Sequence, residues 1–415
     1  MVSIGFVYFC SVIKNNYELQ NDRTMKNILS KRTFIVLPLF LFSLHPLWGQ
    51  KSNFKNDICI PGKLYMLSDI RNDVFVEALI KRWRPYNDFV RFSADCVYSR
   101  KLNRVASVDT PVDGSNMKIE LVNSDEFETI KEKAISICVG KKGIGTQEVT
   151  VQILGDSFVN GAFFRDALLS KNYIPGIKLV GLRNIKNEEG QYDEGRGGWT
   201  VKKYFEIPKG EMTSYHGYMQ PVGEYRYWGS CEFWKNCYKV INGELTDTEI
   251  VYNCGRYDQC ITKFDKETGY LAAPKKNDLM YDNARGSYMV YTGKKWKNVE
   301  VDERKWAFNY RKYLDMWNLD APKFFAQMLG LNDYRDSLTA DYREWNKKIA
   351  EMKESYYKAV PDGKFIILIP CTTCGSLNNV RGDFTLRQNA SMWQLRKNII
   401  DTFDGRESEG YYVVD

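Results

Sequence analysis

The sequence predicts a small β-sandwich followed by an α/β domain built on a parallel sheet. From about Ile58 to Gly145, short alternating segments such as residues 89–92 and 117–122 are separated by Asn, Asp, Gly and Pro turns, which is typical of antiparallel strands. From Glu148 onward, strand-like segments alternate with helix-like ones, which is typical of a parallel sheet. We therefore expect a β-sandwich domain over 50–147 and an α/β domain over 148–415.

The size and charge of the chain fit this interpretation. With 415 residues, 44% apolar and 14% aromatic, it exceeds one ordinary domain and can bury a large core. The net charge of +7 is spread along the chain, with no run of like charges. This distribution indicates a solvated surface, and it does not predict a nucleic-acid partner.

The N-terminal segment is typical of a secretory signal. Basic residues after Met25 precede a short apolar run over 33–48, and Gly49 offers a small residue for cleavage. An anchor helix is the alternative, but Pro38 and Pro46 interrupt the run. We expect 25–49 to be a signal peptide and 1–24 an upstream extension of the reading frame. Export to the periplasm or the extracellular space follows, without stable membrane insertion after cleavage.

The α/β domain is predicted element by element. Strands are expected over 149–154, 177–180, 323–329 and 364–369, with a helix over 158–170. A further helix is indicated by one apolar stripe at steps of three and four, formed by Leu338, Tyr342, Trp345, Ile349, Met352 and Tyr356. Residues 411–414 are typical of a buried strand. A native chain rarely ends directly on such a strand, so we expect a truncated reading of a longer protein.

A stretch rich in Tyr, Trp and Gly, over about 206–298, shows little helical periodicity and is predicted to be a long insertion. Two interpretations remain open. The insertion forms one wall of a substrate cleft, with aromatic rings that stack on sugars, or it forms a small separate core held by cysteine pairs.

Nine of the ten cysteines follow the leader, and export permits disulfides. Spacing alone does not decide the pairing. The pairs close in sequence are Cys231 with Cys237, Cys254 with Cys260, and Cys371 with Cys374. The motif Cys371-Thr-Thr-Cys374 could also be half of a zinc site or a redox motif, but further ligands at similar spacing are missing, so structural thiols or a local disulfide are favoured.

The strongest chemical signal is the apolar strand that runs into Gly155-Asp156-Ser157 and then into a helix. A serine at this junction lies at the carboxyl edge of the sheet, where open α/β sheets bind ligands. Its own N–H belongs to the first helical turn and can donate to an oxyanion. The alternative is a simple helix N-cap, because Asp and Ser are preferred there.

Two later segments add to this signal: Gly197-Gly198-Trp199 and Gly330-Leu331-Asn332-Asp333. In this order, the three motifs resemble those of the SGNH (GDSL-type) hydrolase family. The resemblance implies a three-layer α/β/α, flavodoxin-like domain and hydrolysis of a carboxylic ester through an acyl-serine. It implies Ser157 as the nucleophile, with the Ser157 N–H, the Gly198 N–H and the Asn332 side chain as the oxyanion hole. It requires no metal and no organic cofactor.

The resemblance also implies a polysaccharide acetylesterase of a glycan-degrading bacterium, with an ester of a small molecule or a polysaccharide as its substrate. The family's general base is a histidine in a C-terminal Asp-x-x-His segment, which this chain lacks. Of the two histidines, His45 lies in the leader and His216 does not match the position of the base. Two other functions remain open: a catalytically inactive glycan-binding protein on the same scaffold, and a thiol protein centred on Cys371 and Cys374.

Overall fold

The computed structural model describes residues 57–68, 70–81, 88–101, 105–123, 127–140, 148–161, 165, 168–169, 176–183, 192–209, 216–244, 261–370 and 386–415. The expected signal peptide, the upstream extension and both cysteines of the Cys371-Thr-Thr-Cys374 motif lie outside these residues. Within them the chain is a mixed α/β protein with several sheets, one of them parallel, so this part of the predicted fold class is confirmed.

The N-terminal part consists of strands, as the alternating pattern predicts. Its first sheet has the order β1-β7-β6-β3 and its second the order β2-β5-β4. Alternate residues of both sheets enter one buried cluster, to which Val90, Ile119 and Val108 belong. The strands are β1 (Lys63–Leu67), β2 (Asn72–Phe75), β3 (Asp88–Ala94), β4 (Val97–Lys101), β5 (Val105–Thr110), β6 (Asn116–Asn123) and β7 (Thr129–Gly140), and a short helix α1 (Val76–Leu79) follows β2.

The predicted parallel sheet is present, with six strands. Its order is β10-β8-β17-β18-β19, and β9 pairs with the first half of β8. All of these pairs are parallel. The strands are β8 (Val149–Gly155), β9 (Ile177–Leu179), β10 (Glu194–Gly195), β17 (Phe324–Met328), β18 (Lys364–Leu368) and β19 (Tyr411–Val414). Apart from the two-residue strand β10, all of them were predicted from apolar runs.

Both faces of the parallel sheet are buried, as is usual for parallel strands. On β17, Phe325 belongs to the main cluster of buried residues. Ala326 and Met328 point to the opposite face and belong to a smaller cluster with residues of β8 and β18. The main cluster also contains buried residues of the helices α4 (Tyr310–Trp317), α6 (Arg343–Ala359) and α7 (Leu386–Phe403).

Helix α6 confirms the predicted apolar stripe but begins later than expected. Trp345, Ile349, Met352 and Tyr356 are buried, whereas Leu338 is 40% exposed and precedes the helix. The side chain of Asp341 accepts a hydrogen bond from the N–H of Arg343 at 3.0 Å, which starts the helix at that residue. Leu338 matches the helical period without being helical, so its inclusion in the stripe was wrong.

The insertion has more regular structure than its sequence predicts. It contains helix α3 (Cys231–Ile241) and the sheet β12-β13-β14-β15, and its strand β11 pairs with β16, which lies beyond it. Most buried side chains among its described residues join the main cluster, so these residues form no separate core. The strands are β11 (Met219–Pro221), β12 (Arg226–Ser230), β13 (Asp278–Asp282), β14 (Ser287–Tyr291), β15 (Trp296–Val299) and β16 (Trp306–Phe308).

The cysteine pair on helix α3 does not form a disulfide. Cys231 and Cys237 are separated by six residues of helix, which rise about 9 Å. A disulfide requires Cα atoms within about 7 Å, so these two thiols cannot be joined. Both are buried. Cys254 and Cys260 lie outside the described residues.

The N-terminal sheets contact the C-terminal helix through hydrogen bonds to main-chain atoms. Arg396 of α7 donates to the carbonyl oxygen of Cys59 at 2.7 Å and also binds the carboxylate of Asp415. Trp393 Nε1 donates to the carbonyl oxygen of Leu79 at 3.0 Å. Cys59 and Leu79 are thereby joined to α7, next to the edge of the parallel sheet that carries β19. In the part of the chain described above, no helix has the length and apolar character needed to cross a membrane.

Candidate active site

The three predicted site residues follow the carboxyl ends of three neighbouring parallel strands. Ser157 follows β8, Gly198 follows β10, and Asn332 follows β17. The register places Gly155 beside Gly195 on one side and beside Met328 on the other. The segments that carry Ser157, Gly198 and Asn332 therefore leave the sheet at the same level of the same edge.

Ser157 is the first residue of the short helix α2 (Ser157–Asn160), and it is exposed. Asp156, which is buried, caps this helix by accepting a hydrogen bond from the N–H of Phe158 at 3.0 Å. The N-cap is thus Asp156, and the side chain of Ser157 is not used as a cap. This leaves the Ser157 hydroxyl accessible at the end of a buried strand.

The loop that carries Gly198 comprises residues 196–201 and is called the Gly198 loop below. It is fixed to β8 at its start, where the N–H of Arg196 donates to the carbonyl oxygen of Gly155 at 2.9 Å. Gly198 has a φ of +74°, is exposed, and has open space where a Cβ would lie. Its backbone can therefore be approached by a ligand.

Asn332 and Asp333 lie in the short helix α5 (Leu331–Tyr334) and bind the other end of the Gly198 loop. Asn332 Nδ2 donates to the carbonyl oxygen of Trp199 at 3.0 Å. The carboxylate of Asp333 accepts the N–H of Val201, with its two oxygens at 3.0 and 3.2 Å. These bonds join two of the three predicted site segments directly.

Two carboxyl groups at this edge are held in their neutral form more strongly than usual. Burial raises the pKa of Asp156 to about 6, against the opposing effect of its backbone hydrogen bonds and of Arg335. Burial raises the pKa of Asp333 to about 7, and the nearby Asp156 contributes in the same direction. The charge of Asp156 therefore adds to the effect of burial on the pKa of Asp333.

A buried ion pair lies where β10 leads into the Gly198 loop, and it was not predicted from the sequence. Glu194 and Arg196 are both fully buried, with Oε2 and Nη2 3.1 Å apart. The other oxygen of Glu194 accepts from the N–H of Leu182 at 2.8 Å and from the hydroxyl of Tyr313 at 2.5 Å. The Arg196 guanidinium lies 4.8 Å from the centre of the Trp199 ring. The sequence did carry a signal for this pair, because two opposite charges, Glu194 and Arg196, flank the glycine at the end of β10.

His216 is a buried structural residue, which confirms the structural side of its interpretation. It is 1% exposed, and its Nδ1 accepts the N–H of Tyr218 at 3.1 Å. Its ring packs against Trp199, with centroids 5.6 Å apart. Burial, and secondarily the charge of Arg196, lowers its pKa to about 3, so the imidazole is neutral at physiological pH. His216 thus contacts the Gly198 loop at Trp199 in the interior of the protein, whereas Ser157 lies at the surface.

Three groups thus lie at one edge of the sheet: the accessible hydroxyl of Ser157, the exposed backbone of Gly198, and the side-chain amide of Asn332, which its bond to Trp199 orients. Such groups can bind the oxygen of an acyl group and stabilise the charge that develops on it. No protein-family model matches this chain, and no curated protein is significantly similar to it.

Proposed function

We propose that this chain is a serine ester hydrolase of the SGNH type. In this proposal the parallel sheet belongs to a three-layer α/β/α domain, and the N-terminal sheets form a β-sandwich. Ser157 attacks the ester carbonyl to form an acyl-serine, and the alcohol leaves with the serine proton. Water then hydrolyses the acyl-serine to the free acid and restores Ser157. The reaction needs neither a metal nor an organic cofactor.

The observation that carries the proposal is the hydrogen bond from Asn332 Nδ2 to Trp199. A side-chain amide has two N–H groups, so one can hold the Gly198 loop while the other donates to a ligand. With the N–H groups of Ser157 and Gly198, this makes three donors for the oxyanion. Loss of one such donor typically costs about 10²–10³ in rate.

We further propose an acetylated polysaccharide as the substrate and an exported protein, in the periplasm or outside the cell. Three partly exposed rings of the insertion support a sugar ligand. Trp296 packs on Tyr270 and Tyr291, with centroids 4.9 and 5.4 Å apart, at the edge of the insertion's sheet. Aromatic faces of this kind can stack on sugar rings.

The test is turnover of 4-nitrophenyl acetate with and without imidazole. His216 is buried and neutral, so Ser157 has no histidine of this chain's described part as its base. A site that keeps its oxyanion hole still accelerates hydrolysis by about 10³–10⁴ over water. We expect slow turnover that added imidazole increases, because the imidazole can act as the missing base.

The comparison is made with Ser157→Ala and with Ser408→Ala, a matched variant at another exposed serine. Ser157→Ala should lose the rate increase that imidazole gives the wild type, after subtraction of the protein-free reaction in the same buffer, and Ser408→Ala should keep it. The slow turnover without imidazole rests on the oxyanion hole and should persist in Ser157→Ala. An imidazole effect of equal size in the wild type and in Ser157→Ala would reject the proposal.

The neutral, buried state of His216 also favours a second candidate: a glycan-binding protein without catalysis on the same scaffold. It predicts retention on insoluble acetylated xylan that deacetylation of the polymer weakens, together with rates equal to those of Ser157→Ala. Retention that does not depend on acetylation would exclude this candidate.

A further inference from the structure

We propose that Asp333 is a positioning residue, whose carboxylate holds the N–H of Val201 and thereby fixes the Gly198 loop against Asn332. The inference rests on the proposed function, because it assigns a role within the same site. Asp333 itself makes no contact with the reacting atoms in this assignment.

The Gly198 loop begins with a turn, in which the N–H of Trp199 donates to the carbonyl oxygen of Arg196 at 3.2 Å, so the position of this turn depends on how the residues before and after it are held. Gly198 has a φ of +74°, is exposed and has no neighbour where a Cβ would lie. Glycine adopts many backbone conformations at similar energy, so the direction of its N–H depends on how the two ends of the loop are held. The first end is held by the main-chain bond between Arg196 and Gly155.

The second end is held by the bond from the Tyr204 N–H to the carbonyl oxygen of Val201, by burial of Trp199 and Val201 in the main cluster, and by side chains of α5. Of these contacts, the bonds to α5 join the loop directly to the segment that carries Asn332. Asp333 accepts the N–H of Val201 with both oxygens, and Asn332 donates to Trp199. Asn332 and Asp333 are consecutive residues. The two groups that they bind, the carbonyl oxygen of Trp199 and the N–H of Val201, belong to consecutive peptide units of the loop. A shift of the loop relative to Asp333 therefore also changes the distance between the Gly198 N–H and the Asn332 amide. In the oxyanion hole this distance must let both groups donate to the same oxygen.

Substitution of Asp333 can test the position of its oxygen atoms separately from its charge. A carboxylate accepts an N–H more strongly than a neutral group, but an asparagine of the same shape still offers an oxygen at the same place. Burial already disfavours the ionised form of Asp333. A purely positional role thus predicts that Asp333→Asn functions and that Asp333→Ala does not.

The first experiment compares Asp333→Ala, Asp333→Asn and the matched control Asp336→Ala, an exposed aspartate three residues further on. Two readouts are used: kcat and KM for 4-nitrophenyl acetate with imidazole, and hydrogen exchange of the Val201 amide at single-residue resolution. We expect Asp333→Ala to lower kcat about tenfold with little change in KM, since one oxyanion donor is displaced. The protection factor of Val201 should fall about tenfold or more.

Asp333→Asn should keep both values within about threefold of the wild type, and Asp336→Ala should leave them unchanged. Unchanged protection of Val201 in Asp333→Ala would overturn the inference, and so would an equal loss of kcat in Asp333→Asn and Asp333→Ala. The exchange readout does not need activity. If no turnover depends on Ser157, the proposed function fails while the positioning role is still tested.

Val201→Pro provides a second variant if Asp333→Ala does not fold. Val201 has a φ of −57°, which suits proline, so this substitution removes the N–H and keeps the backbone angle. We expect Val201→Pro to lower kcat about tenfold with little change in KM, because it removes the N–H that Asp333 holds. An unchanged kcat in Val201→Pro would contradict the assignment.

Discussion

Replacement of Glu194 by Gln tests how the Gly198 loop is supported. Glu194 of β10 and Arg196, the first residue of the loop, are both fully buried, with their side chains 3.1 Å apart. The substitution keeps the size of the side chain and an acceptor for the N–H of Leu182, but removes the negative charge. Arg196 then remains as a buried cation that has lost its charged partner.

The expected cost follows from these contacts. Loss of one partner of a buried ion pair costs about 3–5 kcal/mol, because the remaining charge is uncompensated. The bond from the Tyr313 hydroxyl also becomes a bond to a neutral acceptor, which weakens it by about 1 kcal/mol. The amide retains the bond to Leu182, so these two terms add to an expected fall of about 4–6 kcal/mol in the free energy of unfolding for Glu194→Gln.

Glu194→Met combined with Arg196→Met should cost no more than Glu194→Gln alone. The double variant leaves no buried charge, and apolar replacement of a buried pair is often close to neutral. The remaining cost is that of two buried donors that lose Glu194 as acceptor, the N–H of Leu182 and the hydroxyl of Tyr313, at about 1–3 kcal/mol each.

The assay is urea unfolding at pH 7, followed by tryptophan fluorescence, with Asp401→Asn as the control. Asp401 pairs with Lys397 on the exposed side of α7, where water screens the charges, so its removal should not shift the transition. A cost below about 1 kcal/mol for Glu194→Gln, or a double variant that equals the sum of its single variants, would refute the reasoning.

Three other predictions concern stability. Burial raises the pKa of Asp193 from 3.8 to about 7, so this group's contribution is complete below pH 4 and is lost as the pH rises through 7. Asp193→Asn should therefore gain stability relative to the wild type between pH 4.5 and 8 in urea midpoints, and parallel pH curves would contradict this. Gly330 has a φ of +121°, and a Cβ there would lie 2.5 Å from a leucine methyl of α7, whereas Gly198 has open space. Thermal unfolding should show a cost of about 3 kcal/mol for Gly330→Ala and about 1–2 kcal/mol for Gly198→Ala, and equal shifts would speak against the close contact. Ile349→Ala should cost about 2–5 kcal/mol and Leu338→Ala less than about 0.5 kcal/mol by urea unfolding, and a large effect at Leu338 would place it inside the core.

The strands of the parallel sheet could be predicted from the sequence because each is a continuous apolar run. Both faces of such a strand are buried, so every residue carries the signal. The runs over 323–329 and 364–369 correspond to β17 and β18 within one residue at each end. The position of Ser157, directly after β8, was predictable for the same reason.

The insertion could not be predicted in the same way. Helix α3 covers only eleven residues, and its partners in the main cluster come from distant parts of the chain, such as Phe264 and Trp317. A short helix gains most of its stability from such packing, so its own sequence carries a weak signal. At Leu338 the sequence predicted a helical residue where there is none, because a match to the helical period does not by itself place a residue in a helix.

The sequence by itself determined the kinds of residue that follow each parallel strand, and thus where the candidate site lies along the chain. Ser157 was identified from its place at the end of an apolar strand, and Gly198 and Asn332 were identified from the resemblance of their motifs to those of the SGNH family. Only the tertiary structure decided what holds them. Glu194 finds Tyr313 across 119 residues, and Val201 finds Asp333 across 132. A buried polar group must be paired, but its partner is set by how the strands are ordered in space, and that order leaves no periodic trace in the sequence.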